Sequence, residues 1–358
     1  MEFMDIFHDD AFNMISMTAA INSVDHVPGR AGQLVFQGVS EGIRTTVATF
    51  EVKAETVSLI PQTPRGAPAP KEGRDKASLK AVAIPHFQLE DTINADEVAG
   101  VREFGSTDQF RTVQTVINNQ LRKIGLRHDL TLEHLRLGAL KGQVLNPAGG
   151  EIVDLFDLFG VTQEVFDFNL DDYTGIDGDS FDEQEDTLIR NKCTAVKRFM
   201  KRNAKMALPS GFRVHMLCGD NFFDKLTEHP NVKKVYLNTA EQERRLGQTF
   251  EFGAFEFAGI IFENYQGTDD DETVAVDTDT AIGFLTGVPG LYAEYFAPAN
   301  FIETVNTIGL PRYAKLAPDE KWNRFVEIHT QQNPLPVCLR PKTLIRAISN
   351  DTISEGSD

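Results

Sequence analysis

Gly287-Val288-Pro289-Gly290-Leu291-Tyr292, Tyr295-Phe296-Ala297-Pro298-Ala299-Asn300, Glu303-Thr304-Val305-Asn306-Thr307-Ile308-Gly309 and Gln331-Gln332-Asn333-Pro334-Leu335 follow one another in the last fifth of the chain. None of these blocks is chemically reactive. The remaining sequence can be asked whether it supplies any reactive group.

With 358 residues and a hydrophobic fraction of 41%, the chain has material for a sizeable core and for two compact units. Its formal charge of -18 and isoelectric point near 4.9 argue against a surface that holds nucleic acid overall, because that affinity comes from Lys and Arg on phosphates. Cys193, Cys218 and Cys338 lie far apart with no Cys or His at ligand spacing, so they read as reduced, mostly buried thiols. Glu2, Asp5, Asp9 and Asp10 occupy the region where a secretory leader needs basic residues, and no apolar run reaches membrane-spanning length. The expectation is a protein made in the cytoplasm, with no membrane.

Between Arg44 and Asp91 the pattern suggests two long strands, Thr45 to Ile60 and Leu79 to Leu89, with too little apolar surface to bury both faces. Such a hairpin would project and lie on another surface. Its tip, Gln62 to Lys76, is broken by Pro64, Gly66, Pro68, Pro70 and Gly73, and carries Arg65, Lys71, Arg74 and Lys76. These cations on an acidic chain are candidate contacts to a neighbouring copy; the competing reading is a solvated loop.

From Asp108 to Lys141 a largely apolar set recurs at three- and four-residue steps, Phe110, Val113, Ile117, Leu121, Ile124, His128, Leu132 and Leu135, with Leu140 five residues on. Arg111, Asn118, Arg122, Asp129 and Arg136 are expected on the opposite, wet face. Ser106 with Gln109 forms a capping box and Lys141-Gly142 a stop. The result is a spine helix of about 50 Å. His128 and His134, six apart, are packing and surface residues rather than metal ligands.

Asn146-Pro147-Ala148-Gly149-Gly150 turns between two short strands. A mixed α/β region then runs from about Asp154 to Pro298, with an acidic loop, a helix from about Asp182 to Lys205, a strand at Phe212 to Cys218 and strands around Phe250 to Phe262. In that helix Arg190, Lys192, Lys197, Arg198, Lys201, Arg202 and Lys205 occur without an acid. They could complement the helix dipole and the acidic loop, an acidic neighbouring subunit, or packaged DNA.

The main enzymatic rival is Thr273 to Thr280, a strand expected to end in Asp277-Thr278-Asp279, the paired carboxylates of aspartyl-phosphate hydrolases with magnesium. Ala281 stands where that class wants Thr or Val, and no Gly-rich partner loop follows, so the acids read as surface groups. Asp171, Asp172, Asp177, Asp179, Asp182 and Glu183 lack the ligand spacing of a calcium loop. The expectation is no catalytic residue, no cofactor and no metal site.

The four blocks quoted first resemble the signature blocks of the lambda-type (protein E) family of tailed-phage major capsid proteins, over Phe284 to Arg346 most specifically. The order of elements resembles the Hong Kong ninety-seven-type capsid fold, an α+β architecture. That resemblance implies a flexible N-terminal arm (1–43), an extended β-hairpin loop (44–91), a peripheral domain with the spine helix (92–153 and 298–341), an axial α/β domain (154–297, with 342–349 returning) and a flexible tail (350–358). It further implies pentamers and hexamers in an icosahedral virion shell around double-stranded DNA. Separate scaffolding and portal proteins, and a decoration protein, would be the partners. An encapsulin-type cargo compartment shares the fold and is the nearest alternative; the Asn-Pro-Leu and Ala-Pro-Ala blocks count against it.

Overall fold

The computed structural model describes residues 29–53, 77–95, 109–170, 188–237, 254–265, 267, 274–319, 321–322 and 324–349. The apolar repeat noted above winds into one continuous helix, α1 (Gln109–Lys141), of 33 residues. Ile117, Leu121, Ile124, Leu132, Leu135 and Leu140 are buried along it, while Arg122, Lys123 and Arg127 face solvent. The expected cap at Ser106 lies outside the described residues.

Before α1 and just after it, the chain forms β1 (Ser40–Gly42), β2 (Val47–Lys53), β3 (Ala77–Ala83), β4 (Phe87–Asn94), β5 (Gln143–Leu145) and β6 (Glu151–Asp154). A short helix α2 (Leu155–Phe159) leads to β7 (Glu164–Asp167), α3 (Leu188–Ala204), β8 (Arg213–Cys218), α4 (Asp220–Glu228) and α5 (Pro230–Leu237). The rest is β-rich: β9 (Ala254–Phe257), β10 (Ile260–Asn264), β11 (Thr280–Thr286), β12 (Tyr292–Phe296), β13 (Tyr313–Pro318), β14 (Phe325–Gln332), β15 (Pro334–Cys338) and β16 (Ile345–Ile348).

A six-stranded mixed sheet, in the order β7-β16-β11-β8-β10-β9, holds most of the central core. Every position of its inner strand β11 is buried, as expected of a run covered on both faces. Helix α3 turns Ile189, Cys193, Val196, Met200 and Ala204 inward, with Met200 packed beside Gly283 of β11. Phe168 meets Phe222 of α4 edge-on at 5.7 Å and Phe262 of β10 at 6.4 Å. Cys193, Cys218 and Cys338 are all buried and free; burial pushes the Cys193 and Cys338 thiols up to about 12, so they stay protonated.

Two three-stranded sheets complete the body, β13-β14-β4 and β1-β12-β15. The spine lies on the first of these: Gln120 bonds Asp91 of β4, His128 Nε2 sits 2.9 Å from Thr330 Oγ1 of β14, and Asp129 pairs with Arg312 just before β13.

Several sequence expectations change. The second hairpin strand is two strands: β3 pairs with β2, and β4 leaves to pair with β14. Pro85 stands between them, lacking the N–H that a continuous ladder needs. The hairpin stem is not wholly without support, because Ala48, Phe50 and Val82 are buried and Phe50 packs on Phe159 and Tyr295 of its own chain at 6.5 and 5.8 Å. Asp129 and Arg136 are buried rather than wet, at 7% and 9% exposure. A period-counting argument puts charge outside and cannot see a partner reaching in from a distant segment. Helix α3 is described from Leu188, and its proposed start at Asp182 lies outside the described residues. Asp277 and Asp279 precede β11 instead of ending a strand.

Candidate assembly surfaces

The blocks that open the sequence reading converge in space. Val288 to Leu291 makes the turn from β11 to β12, with Gly287 and Gly290 at φ of 72° and 74°, the left-handed region that favours glycine. Strand β12 then pairs with β15, Phe296 opposite Pro334. Asn333 clasps the two: its Nδ2 donates to Pro298 O at 2.8 Å, its carbonyl O accepts from Ala297 N at 3.0 Å, and its Oδ1 accepts from His86 Nδ1 at 2.7 Å. Gln331 Oε1 accepts from Asn300 N at 2.7 Å. Gly309 closes the arrangement, where a Cβ would overlap the Phe296 carbonyl oxygen, and its N–H donates to Ile43 O at 2.9 Å. These residues brace a corner; they do not form a reactive pocket.

Beneath that corner is a buried charged node that the sequence reading missed. Glu294 of β12 is fully buried and accepts from Arg136 Nε at 2.7 Å and Nη2 at 2.9 Å. Ser40 Oγ donates to the same carboxylate at 2.5 Å. One turn earlier on α1, Glu133 accepts from Ala31 N at 2.7 Å, Gly32 N at 3.2 Å and Tyr265 Oη at 3.2 Å. Burial, and then the Glu133 charge, push the Tyr265 phenol well above its usual value, so it remains a donor. Arg30 pairs with Glu263 of β10. The segment 29–42 of the expected arm is thus bonded to the spine and to two sheets; residues 1–28 lie outside the described ones. Asp129, Glu133 and Arg136 share one face of α1 and are all buried, a cluster of charge that helical spacing alone reads as a wet face.

The paired carboxylates of the enzymatic rival each have a cation nearby. Asp277 Oδ2 lies 3.3 Å from Arg346 Nη2 and Asp279 Oδ1 lies 3.7 Å from Lys225 Nζ, so each acid faces a cation of its own chain. Among the described residues no group of His, Cys, Asp and Glu could hold a metal ion, and no helix is long and apolar enough to cross a membrane.

Of the basic residues in α3, Arg190, Arg198, Lys201 and Arg202 are exposed. Lys197 bonds Ala258 O, and Lys201 Nζ stands 5.1 Å over the Phe212 ring. Among the described residues, no ion pair joins Arg198, Lys201 or Arg202 to a carboxylate. The acidic loop proposed as their complement, and the hairpin-tip residues Arg65, Lys71, Arg74 and Lys76, lie outside the described residues.

Comparison with known proteins agrees with the geometry. The chain is 27% identical to the major capsid protein of Pseudomonas phage KPP10 over 355 residues, covering 94% of this chain and 96% of that protein. It is 24% identical to the major capsid protein of Salmonella phage Felix O1 over 369 residues, covering 93% and 95%. A crystal structure described as a capsid protein of an E. coli CFT073 prophage is similar in fold, with a TM-score of 0.52 at 12% identity over 94% of this chain and 99% of that one. Residues 13–349 match the family described as phage major capsid protein E. The match is to phage head proteins, which does not favour the cargo-compartment alternative. The chain belongs to the phage major capsid protein E family and is a structural subunit of a phage virion shell, built from multiple copies.

Proposed function

We propose that copies of this chain form the pentamers and hexamers of an icosahedral head enclosing double-stranded DNA, without catalytic turnover. In this reading residues 44–91 are an extended loop reaching a neighbouring subunit, 92–153 with 298–341 the peripheral domain, and 154–297 with 342–349 the axial domain around which capsomers close; 1–43 and 350–358 are the terminal segments. Scaffolding, portal and decoration functions belong to other proteins. The observation that carries the reading is the family match over residues 13–349, in a chain whose paired carboxylates Asp277 and Asp279 are each faced by a cation.

The hairpin gives the test. If Arg65, Lys71, Arg74 and Lys76 meet carboxylates of an adjacent copy, each exposed pair contributes only about 0.2 to 1 kcal/mol, but the contact repeats at every interface. Replacing all four by Glu is expected to leave subunit folding unchanged while blocking assembly, and moderate salt should weaken wild-type assembly in the same direction. Normal, salt-insensitive shells from the reversed protein would return the tip to a solvated loop.

A further inference from the structure

The loop after the Ala297-Pro298-Ala299 block carries an apolar ridge. Ile302 is 93% exposed, Val305 64%, Ile308 55% and Leu310 44%. Scattered apolar residues are ordinary on a surface, but four large aliphatics within one short loop form a patch. The ridge is built, not loose. Ile302–Thr304 form a 3-10 turn, and the buried Thr304 hydroxyl lies 2.6 Å from Ala299 O. Thr307 Oγ1 donates to Thr304 O at 2.8 Å, and Leu310 N donates to Tyr313 Oη at 2.8 Å. Asn306 supports the bend at φ of 62°, a conformation Asn tolerates better than most residues. A fixed backbone presenting aliphatic side chains loses little freedom on docking.

Charge selects the occupant. At -18 per chain, two copies repel on average and can rest together only where charge is absent or locally matched. From Ala297 to Pro311 the sole charged residue is Glu303, and Lys315 Nζ pairs with it at 2.8 Å. On the ridge the one exposed charge is thus matched within the chain, and the aliphatic side chains around it offer an uncharged surface that can complement itself. We propose that Ile302, Val305, Ile308 and Leu310 form a contact between copies of this chain, the ridge of one subunit seated against the same region of another. The proposal rests on the shell-assembly reading above.

The test compares full-length wild type with Ile302→Asp/Ile308→Asp, following assembly by sedimentation velocity and electron microscopy. Folding is checked by circular dichroism and thermal melting. The expected result is a melting midpoint within about 2 °C of wild type and a fraction in shells reduced at least about tenfold, with Ile302→Leu/Ile308→Leu assembling normally. Should the Asp variant misfold, hydroxyl-radical footprinting of the wild type decides: oxidation of the four aliphatics should fall several-fold on assembly. Wild-type shell yield from a folded Asp variant, or unchanged oxidation in wild-type shells, overturns the contact while leaving the shell reading intact. Protection that appears only when another head protein is added assigns the ridge to that protein and also overturns it. Absence of wild-type shells overturns the shell reading and this contact together.

Discussion

Arg136→Met is expected to destabilise the folded subunit by about 3 to 5 kcal/mol, because it strands a carboxylate. Glu294 has no solvent exposure, and the two guanidinium bonds at 2.7 and 2.9 Å are its charged support. Removing the cation leaves Ser40 Oγ as a neutral donor to a buried anion. The loss is a desolvation penalty more than a missing attraction, so the double variant Arg136→Met/Glu294→Leu should recover much of it. The exposed neighbour Arg122, changed to Ala, should cost under about 0.5 kcal/mol. Urea unfolding of the three variants followed by circular dichroism measures all of this. Equal, small effects from Arg136→Met and Arg122→Ala would mean that the buried node does not hold the spine to β12.

Mild acid should weaken the fold through two histidines. Burial pushes both His128 and His215 down to about 4, with Arg312 adding to the effect at His128 and Arg30 at His215. His128 meets Thr330, and His215 stacks on Phe284 with ring centroids 6.1 Å apart. An unfolded histidine titrates near 6.5, so between about pH 6.5 and 4 the unfolded chain binds the extra proton. Stability is therefore full above pH 6.5 and declines as pH falls toward 4, where the folded ring also protonates and the decline levels off. One pKa unit corresponds to about 1.4 kcal/mol, so each histidine accounts for roughly 3 kcal/mol over the whole window. Unfolding free energies at pH 7 and pH 4.5, in wild type and His128→Gln, separate this contribution from that of the carboxylates. The variant should show a visibly shallower pH dependence; an unchanged slope would show that His128 is not held neutral.

What was legible in the sequence follows from what local chemistry determines. Periodicity placed the spine, since Ile117, Leu121, Ile124 and Leu135 need only their own spacing to find a common face. Asn146-Pro147-Ala148-Gly149-Gly150 marked the turn between β5 and β6 for the same reason. The Asn333 clasp was visible as a block but not as a clasp, because Pro298 and His86 reach it from other segments. Glu294 shows the limit most clearly: within Tyr292-Ala293-Glu294-Tyr295-Phe296 alternation puts a carboxylate on the face of Tyr292 and Phe296, and only Arg136 and Ser40, 158 and 254 positions away, make its burial tolerable. Pro85 could have split the second hairpin strand on local grounds, since a proline lacks the ladder N–H.

The central claim is that this chain is a shell subunit whose function is assembly. Electron microscopy of the purified full-length protein, alone and with any scaffolding protein its phage encodes, is the decisive measurement. The account predicts closed shells, or rings of five and six subunits, in at least one of the two preparations. A monodisperse monomer in both, at concentrations where related heads assemble, would contradict it.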